Sequence, residues 1–186
     1  MPEELELKAV LPDPDAFRGR MRAAGAAPGF EGRMHDQRFD RAGELAARDE
    51  VLRVRTYHHP DGRTESVVGW KGPVRRSADG YKVRTELELT IGDGSAPPGL
   101  LLEALGYGVI HAIDREIEIF TYAGATLRLE RYPRMDLLLE VEGEPDAIER
   151  AIGASGIERA AFSSDSLADF VRRYEERTGR PALLAS

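Results

Sequence analysis

The chain has 186 residues, enough for one domain or at most two small ones and for the core such a domain needs. Its 26 Lys and Arg against 33 Asp and Glu leave a formal charge of -7, which excludes a protein that coats duplex DNA by bulk attraction, so no nucleic-acid partner is expected. A composition of 41% apolar and 32% charged residues excludes extensive disorder, and the absence of Cys excludes disulfides, thiolate zinc sites and cysteine nucleophiles.

The N-terminal MPEELELKAV lacks a basic region followed by an apolar run, and no apolar stretch approaches the ~18 residues of a membrane span. The reading is a cytoplasmic protein without a membrane partner. Alternation of period two, mostly with a full charge as the polar member, marks a mainly β chain. It predicts strands over residues 3–10, 34–40, 50–57, 64–71, 81–91, 109–121, 125–132 and 136–142, a number that suits a barrel.

Four helices interrupt the strands. The first starts at Asp13-Pro14, a side-chain cap with proline in the first turn, and carries Phe17 and Met21 on one face before Gly25. The second follows Pro97-Pro98 and holds Leu101, Leu102 and Leu105 before Gly106; the third runs from about Pro145 to Ile152. The fourth covers Asp165 to about Arg177, with Ser164 as its cap, Leu167, Phe170 and Val171 as its apolar stripe and Gly179-Arg180-Pro181 as its stop. Turns at Pro60-Asp61-Gly62 and Ala123-Gly124 make neighbouring strands antiparallel. Residues 1–180 read as a single domain, with a mobile loop over Gly72–Gly80 and a frayed C-terminal tail over 181–186.

Side chains alternate along a strand, so Glu4, Glu6 and Lys8 share one face and Leu5, Leu7 and Ala9 the other. Lys82, Arg84, Glu86 and Glu88 are likewise set against Val83, Thr85, Leu87 and Leu89; Arg53 and Arg55 against Leu52 and Val54; Arg128 and Glu130 against Leu127 and Leu129; Glu140 and Glu142 against Leu139 and Val141. One reading is a sheet packed on helices with its charged face in water. The other is a closed barrel whose apolar exterior is covered by helices and whose interior is a charge-lined tunnel. Carboxylate pairs in such a lumen suit a hard divalent cation, and interleaved Arg and Lys suit an anion. Together they suit a polyphosphate that carries its own Mg²⁺ or Mn²⁺.

The motifs along the chain resemble one family. Glu4-Leu5-Glu6-Leu7-Lys8 matches the ExExK signature of the CYTH superfamily, the triphosphate tunnel metalloenzymes. Asp36 to Asp40, Leu52-Arg53-Val54-Arg55, Lys71-Gly72-Pro73, Arg84-Thr85-Glu86-Leu87-Glu88, Arg115, Glu130 and Glu140-Val141-Glu142 follow in the family's order. The chain departs from the pattern where Arg38 stands in place of the usual Tyr, and where Arg134-Met135-Asp136 replaces the usual Gly-Leu-Gly turn. The resemblance implies an α+β chain built on an eight-stranded antiparallel β-barrel that forms a charged tunnel flanked by helices. It implies Mg²⁺ or Mn²⁺ as cofactor, with Glu4, Glu6, Glu130, Glu140 and Glu142 as metal ligands. It implies phosphate contacts from Lys8, Arg53, Arg55, Lys71, Arg84 and Arg115, and a catalytic set of Glu4, Glu6 and Lys8. The expected activity is hydrolysis of inorganic, thiamine or nucleoside triphosphate, the alternatives being class IV adenylate cyclase and a non-catalytic triphosphate-binding module. Monomer and homodimer are both open. Counting Arg128 with the site bases, the proposed lumen holds seven acids and seven bases and is formally neutral, which places the net charge elsewhere.

Overall fold

The computed structural model describes residues 3–78, 82–92, 94 and 96–185, without the side chains of Glu3, Glu4 and Lys82. Its strands are β1 (Glu3–Val10), β2 (Ala27–Asp40), β3 (Val51–His58), β4 (Thr64–Lys71), β5 (Arg75–Arg76), β6 (Lys82–Ile91), β7 (Gly108–Tyr122), β8 (Ala125–Arg131) and β9 (Leu138–Glu142). The helices are α1 (Pro14–Ala23), α2 (Pro98–Ala104), α3 (Pro145–Ser155) and α4 (Leu167–Thr178). Eight strands pair antiparallel in the order β1-β9-β8-β7-β2-β3-β4-β6, and β6 returns to β1 with Glu4 opposite Arg84 and Glu6 opposite Lys82. The sheet is a closed ring with β5 added beside β6. Closure leaves no free edge among these eight strands, and it gives the two alternating faces opposite fates.

The apolar face is the outer one on the β1-β9-β8 side. Leu7, Ala9, Leu127, Leu129, Leu139 and Val141 are all at most 2% exposed, packed with Phe17 and Met21 of α1 and with Ala147, Ile148, Ala151 and Ile152 of α3. Phe17 meets Phe120 edge to face at 5.9 Å between centroids. The helix that carries Phe17 starts where the sequence puts it: the Asp13 carboxylate accepts the Ala16 N–H at 2.9 Å. With the ring closed and the apolar exterior of β1, β9 and β8 covered, the charged face is turned into the barrel, so the open-sheet reading falls away.

Helix α4 has a different station. Phe170 packs with Ile113, Tyr132 and Leu138, and Met135, Leu167 and Leu184 complete this second cluster at one end of the barrel. The cap of α4 is Ser166 rather than Ser164; its side chain accepts from Asp169 N while the Asp169 carboxylate accepts from Ser166 N, a reciprocal capping box. Ser164 instead takes a hydrogen bond from Arg76. The C-terminal segment is docked, not frayed: Leu183 and Arg134 exchange backbone bonds of 2.8 and 3.1 Å, and Asp114 N–H donates to the Leu184 carbonyl at 2.7 Å. Those bonds and the partial burial of Leu184 against the cluster outweigh the terminal position that suggested fraying. Part of the predicted 72–80 loop is likewise ordered as β5, and Asp79 and Gly80 lie outside the described residues.

Strand β2 extends seven residues further upstream than predicted, because Pro28, Gly29 and Gly32 read as turn residues. They mark a register irregularity between Pro28 and Glu31 that lets a long strand bend while pairing with β7. Gly32 is required by contact: a Cβ there would lie 2.4 Å from the His58 carbonyl oxygen and 2.8 Å from the Phe30 ring. Gly32→Ala is therefore expected to destabilise the fold by about 1–3 kcal/mol, read as a lower urea midpoint at unchanged m-value.

Candidate active site inside the barrel

A cavity of about 260 Å³ occupies the barrel interior towards the end covered by α4. Every strand of the ring contributes to its wall: Glu6 and Lys8 from β1, Glu140 from β9, Arg128 and Glu130 from β8, Arg115 from β7, Asp36 and Arg38 from β2, Arg53 from β3, Lys71 from β4 and Arg84 from β6. Asp49, Val74, Ser166 and Leu167 stand around its mouth. Among the described residues the lining holds seven basic and five acidic side chains, an excess of two positive charges. The neutral lumen expected from the sequence also counts Glu4, whose side chain lies outside the described residues, and Glu86, Glu88 and Glu142, which pair with Lys71, Arg53, Arg55 and Arg128. Glu86, Glu88 and Glu142 do not reach the cavity, Arg55 does not reach it either, and Asp36, Asp49 and Arg38 do.

On one side the acids dominate. The Lys8 ammonium lies between two carboxylates, 3.2 Å from Glu6 and 2.5 Å from Glu140. Arg128 donates to the other Glu140 oxygen at 2.5 Å. Burial works against the charge on Lys8, but Glu140, Glu6 and Glu130 outweigh it and hold the ammonium far above the ordinary lysine range. Burial also favours a neutral Glu140, and Lys8 and Arg128 overcome it, holding that carboxyl well below the usual range. These contacts follow from register: Lys8 is directly opposite Glu140, which is directly opposite Arg128.

On the other side the bases dominate. Arg115 reaches Asp36 at 3.1 Å, Glu130 at 2.8 Å and the Tyr132 hydroxyl at 3.1 Å, and that hydroxyl donates to Glu130 at 2.8 Å. Burial and the Glu130 carboxylate together push the Tyr132 hydroxyl far above its ordinary value, so it stays a donor. Arg53 lies 3.9 Å from Asp36 and 3.5 Å from Glu88, Lys71 pairs with Glu86, and Arg55 pairs with Glu88 farther along β3. Arg84 spans two loops at the mouth, donating at 2.6 Å to both the Gly72 and the Asp49 carbonyls. Asp49 sits in the left-handed region at φ 53° and its carboxylate also accepts Val74 N–H at 2.6 Å, which ties the two loops together.

The fold therefore gathers Glu6, Lys8, Arg53, Lys71, Arg84, Arg115, Glu130 and Glu140 around one cavity, and leaves Arg55 and Glu142 outside its lining. Glu142 sits opposite Glu6 in register, with one oxygen 4.0 Å from Arg128. The Glu4 side chain lies outside the described residues. Asp36 and Arg38 were noted in the second-strand segment but not counted among the site residues, although their parity in Asp36-Gln37-Arg38 places both on one face. Tyr132, two residues beyond Glu130, carried the same signal. Among the described residues no three His, Cys, Asp or Glu side chains form a ready-made metal centre, and no helix is long and apolar enough to cross a membrane.

No protein-family model matches the chain, and no curated protein matches it. Solved structures do. The chain is similar to the PH1819 protein of Pyrococcus horikoshii OT3, with a TM-score of 0.67 and 22% identity over 91% of this chain and 98% of that one. A Vibrio parahaemolyticus protein provisionally described as an adenylate cyclase gives a TM-score of 0.71 and 19% identity over 91% and 97% of the two chains. A provisional adenylyl cyclase from Hippeastrum, described as having a dominant triphosphatase activity, gives 0.61 and 18% identity over 97% of each chain. At these identities the likeness shows a shared fold.

Proposed function

We propose that the chain is a divalent-metal-dependent triphosphatase that hydrolyses a triphosphate-containing small molecule inside the barrel. The observation that carries this reading is the shared cavity, in which a wall of Arg53, Lys71, Arg84 and Arg115 faces the buried carboxylates Glu6, Glu130 and Glu140. Phosphoanhydride cleavage asks a protein chiefly to neutralise and align the chain of phosphates, and this wall supplies fixed cations for both tasks.

The donor set fits a hard cation. Glu6 and Glu140 are oxygen ligands of the type Mg²⁺ and Mn²⁺ take, and the Lys8 ammonium between them shows that the pair accommodates positive charge. Glu6, Glu130 and Glu140, which line the cavity, would hold the metal together with Glu4, while Glu142, opposite Glu6 in register, stands outside that lining. When bound, Mg²⁺ or Mn²⁺ supplies charge neutralisation and a more acidic water. The chain's own residues do the rest: the guanidinium groups hold the non-bridging oxygens, and water attacks the terminal phosphorus as the P–O–P bridge breaks. The bridging oxygen and its electrons go with the diphosphate portion, the attacked terminal phosphorus is released as orthophosphate, and the water's proton passes to solvent or to a lumen carboxylate.

The second reading, a class IV adenylate cyclase, draws on the provisional descriptions of the structural neighbours. One incubation series with inorganic triphosphate, ATP and thiamine triphosphate, each with Mg²⁺ or Mn²⁺, separates the two. Orthophosphate without cyclic AMP is the expected result. Cyclic AMP with pyrophosphate would favour the cyclase, and binding without turnover would make the chain a triphosphate-binding module.

A further inference from the structure

Six of the seven cations lining the cavity have partners: Lys8, Arg53, Lys71, Arg84, Arg115 and Arg128 each meet a carboxylate or a carbonyl oxygen. Arg38 does not. Among the described residues it makes no side-chain hydrogen bond and no ion pair, and its Nε is buried without an acceptor. Burial disfavours its charge, and so do the guanidinium groups of Arg53, Arg115 and Arg84, against the favourable carboxylate of Asp36. A cation held among cations, in a cavity with a positive excess, is an anion contact awaiting its ligand.

The cavity also limits what that ligand is. Its volume is about 260 Å³, and twelve of its eighteen lining residues are charged. A polyphosphate chain suits that volume and lining; a nucleoside has to project through the mouth, and a thiamine cation there meets Arg38 with like charge. Arg38 lies on that side of the lumen: it pairs in register with Arg53 and is two residues short of Asp40, where β2 ends.

We infer that Arg38 is a specificity-determining residue, binding an outer phosphate of a wholly inorganic polyphosphate and so favouring inorganic tripolyphosphate over triphosphates esterified to an organic group. This rests on the reading of the lumen as a triphosphate site. The test is calorimetric titration of the full chain with tripolyphosphate and with ATP in EDTA, where binding is read without turnover. Wild type should bind tripolyphosphate about tenfold more tightly than ATP, and Arg38→Gln should lose about tenfold on tripolyphosphate but less than about threefold on ATP. Arg38→Lys, which keeps the charge, should recover most of the loss. Arg38→Gln should also melt at or above the wild-type temperature without ligand, because it removes an unpaired cation, and this establishes that the variant is folded. Equal losses on both ligands, or none, would overturn the role of Arg38 and leave the lumen reading standing. Wild-type protein that binds neither ligand would overturn both.

Discussion

Glu140→Gln should abolish turnover, lowering kcat by roughly 10²–10³-fold or more, and should destabilise the protein by about 3–5 kcal/mol near neutral pH. Both effects come from one carboxylate. Glu140 is 5% exposed and accepts from Lys8 and Arg128 at 2.5 Å each, so a neutral amide leaves two buried cations short of a counter-charge. The same oxygens are the ones proposed to hold the metal. The pH dependence follows from the direction of the shift. The folded Glu140 carboxyl titrates well below its ordinary value of 4.5, so its stabilisation is fully present above that value and is lost as pH falls through the folded value. Lys8 is shifted upward, so its contribution is complete below its ordinary value of 10.5 and is lost only as pH rises through the folded value. The gap between wild type and variant should therefore be widest between these limits and close in acid, where both proteins carry a neutral side chain at 140. Urea titrations across this pH range measure the gap. A variant that keeps wild-type kcat in the proposed triphosphatase assay would remove Glu140 from the metal site, whatever its stability.

How much of this was legible in the sequence depends on whether a feature is local or set by register. The alternation of Leu7 and Ala9 with Glu6 and Lys8 gave the two faces of β1 directly, and the same held for β8 and β9. The first half of β2 was hidden because Pro28, Gly29 and Gly32 carry a turn composition, while their actual service is to bend a paired strand. The α4 start shifted by two residues, since Ser163, Ser164 and Ser166 all carry capping chemistry and only Asp169 decides among them. Opposed pairs in the lumen were beyond reach. That Lys8 meets Glu140, and Arg115 meets Asp36, is fixed by strands more than seventy residues apart in sequence, and no one-dimensional pattern specifies that register. The docking of the C-terminal residues was hidden for a similar reason: Leu184 has no periodic context, and its value lies in the cluster formed by Ile113, Tyr132, Leu138 and Phe170. The surplus of positive charge also needed the structure, because Asp36, Arg38 and Asp49 enter the cavity while Glu86, Glu88 and Glu142 stay outside its lining.

Asp36→Asn should be as destabilising as Glu140→Gln without ligand, about 3–5 kcal/mol, but its defect should be repaired by the substrate anion. Asp36 is 1% exposed, and one of its oxygens accepts from Arg115 at 3.1 Å and faces Arg53 at 3.9 Å. It is also the favourable charge with the largest effect on Arg38. With asparagine there, Arg115 retains Glu130 and Arg53 retains Glu88, but the three guanidinium groups repel one another through the low-dielectric interior with no anion between them. A bound polyphosphate supplies that anion, so the variant's affinity for it should rise. Binding to the folded state alone stabilises by RT ln(1 + [L]/Kd), about 2.7 kcal/mol at a hundredfold excess over Kd, and a lower Kd at equal ligand concentration gives a larger shift. The expected result is a Tm rise on adding tripolyphosphate, in EDTA, that is greater for Asp36→Asn than for wild type. Added sodium chloride at matched ionic strength should not reproduce it, because screening weakens repulsion without providing oxygen acceptors for the buried guanidinium groups. A smaller ligand-induced rise in the variant would place Asp36 among the groups that hold the substrate in position, and would reject the account of it as an internal counter-ion that the polyphosphate can replace.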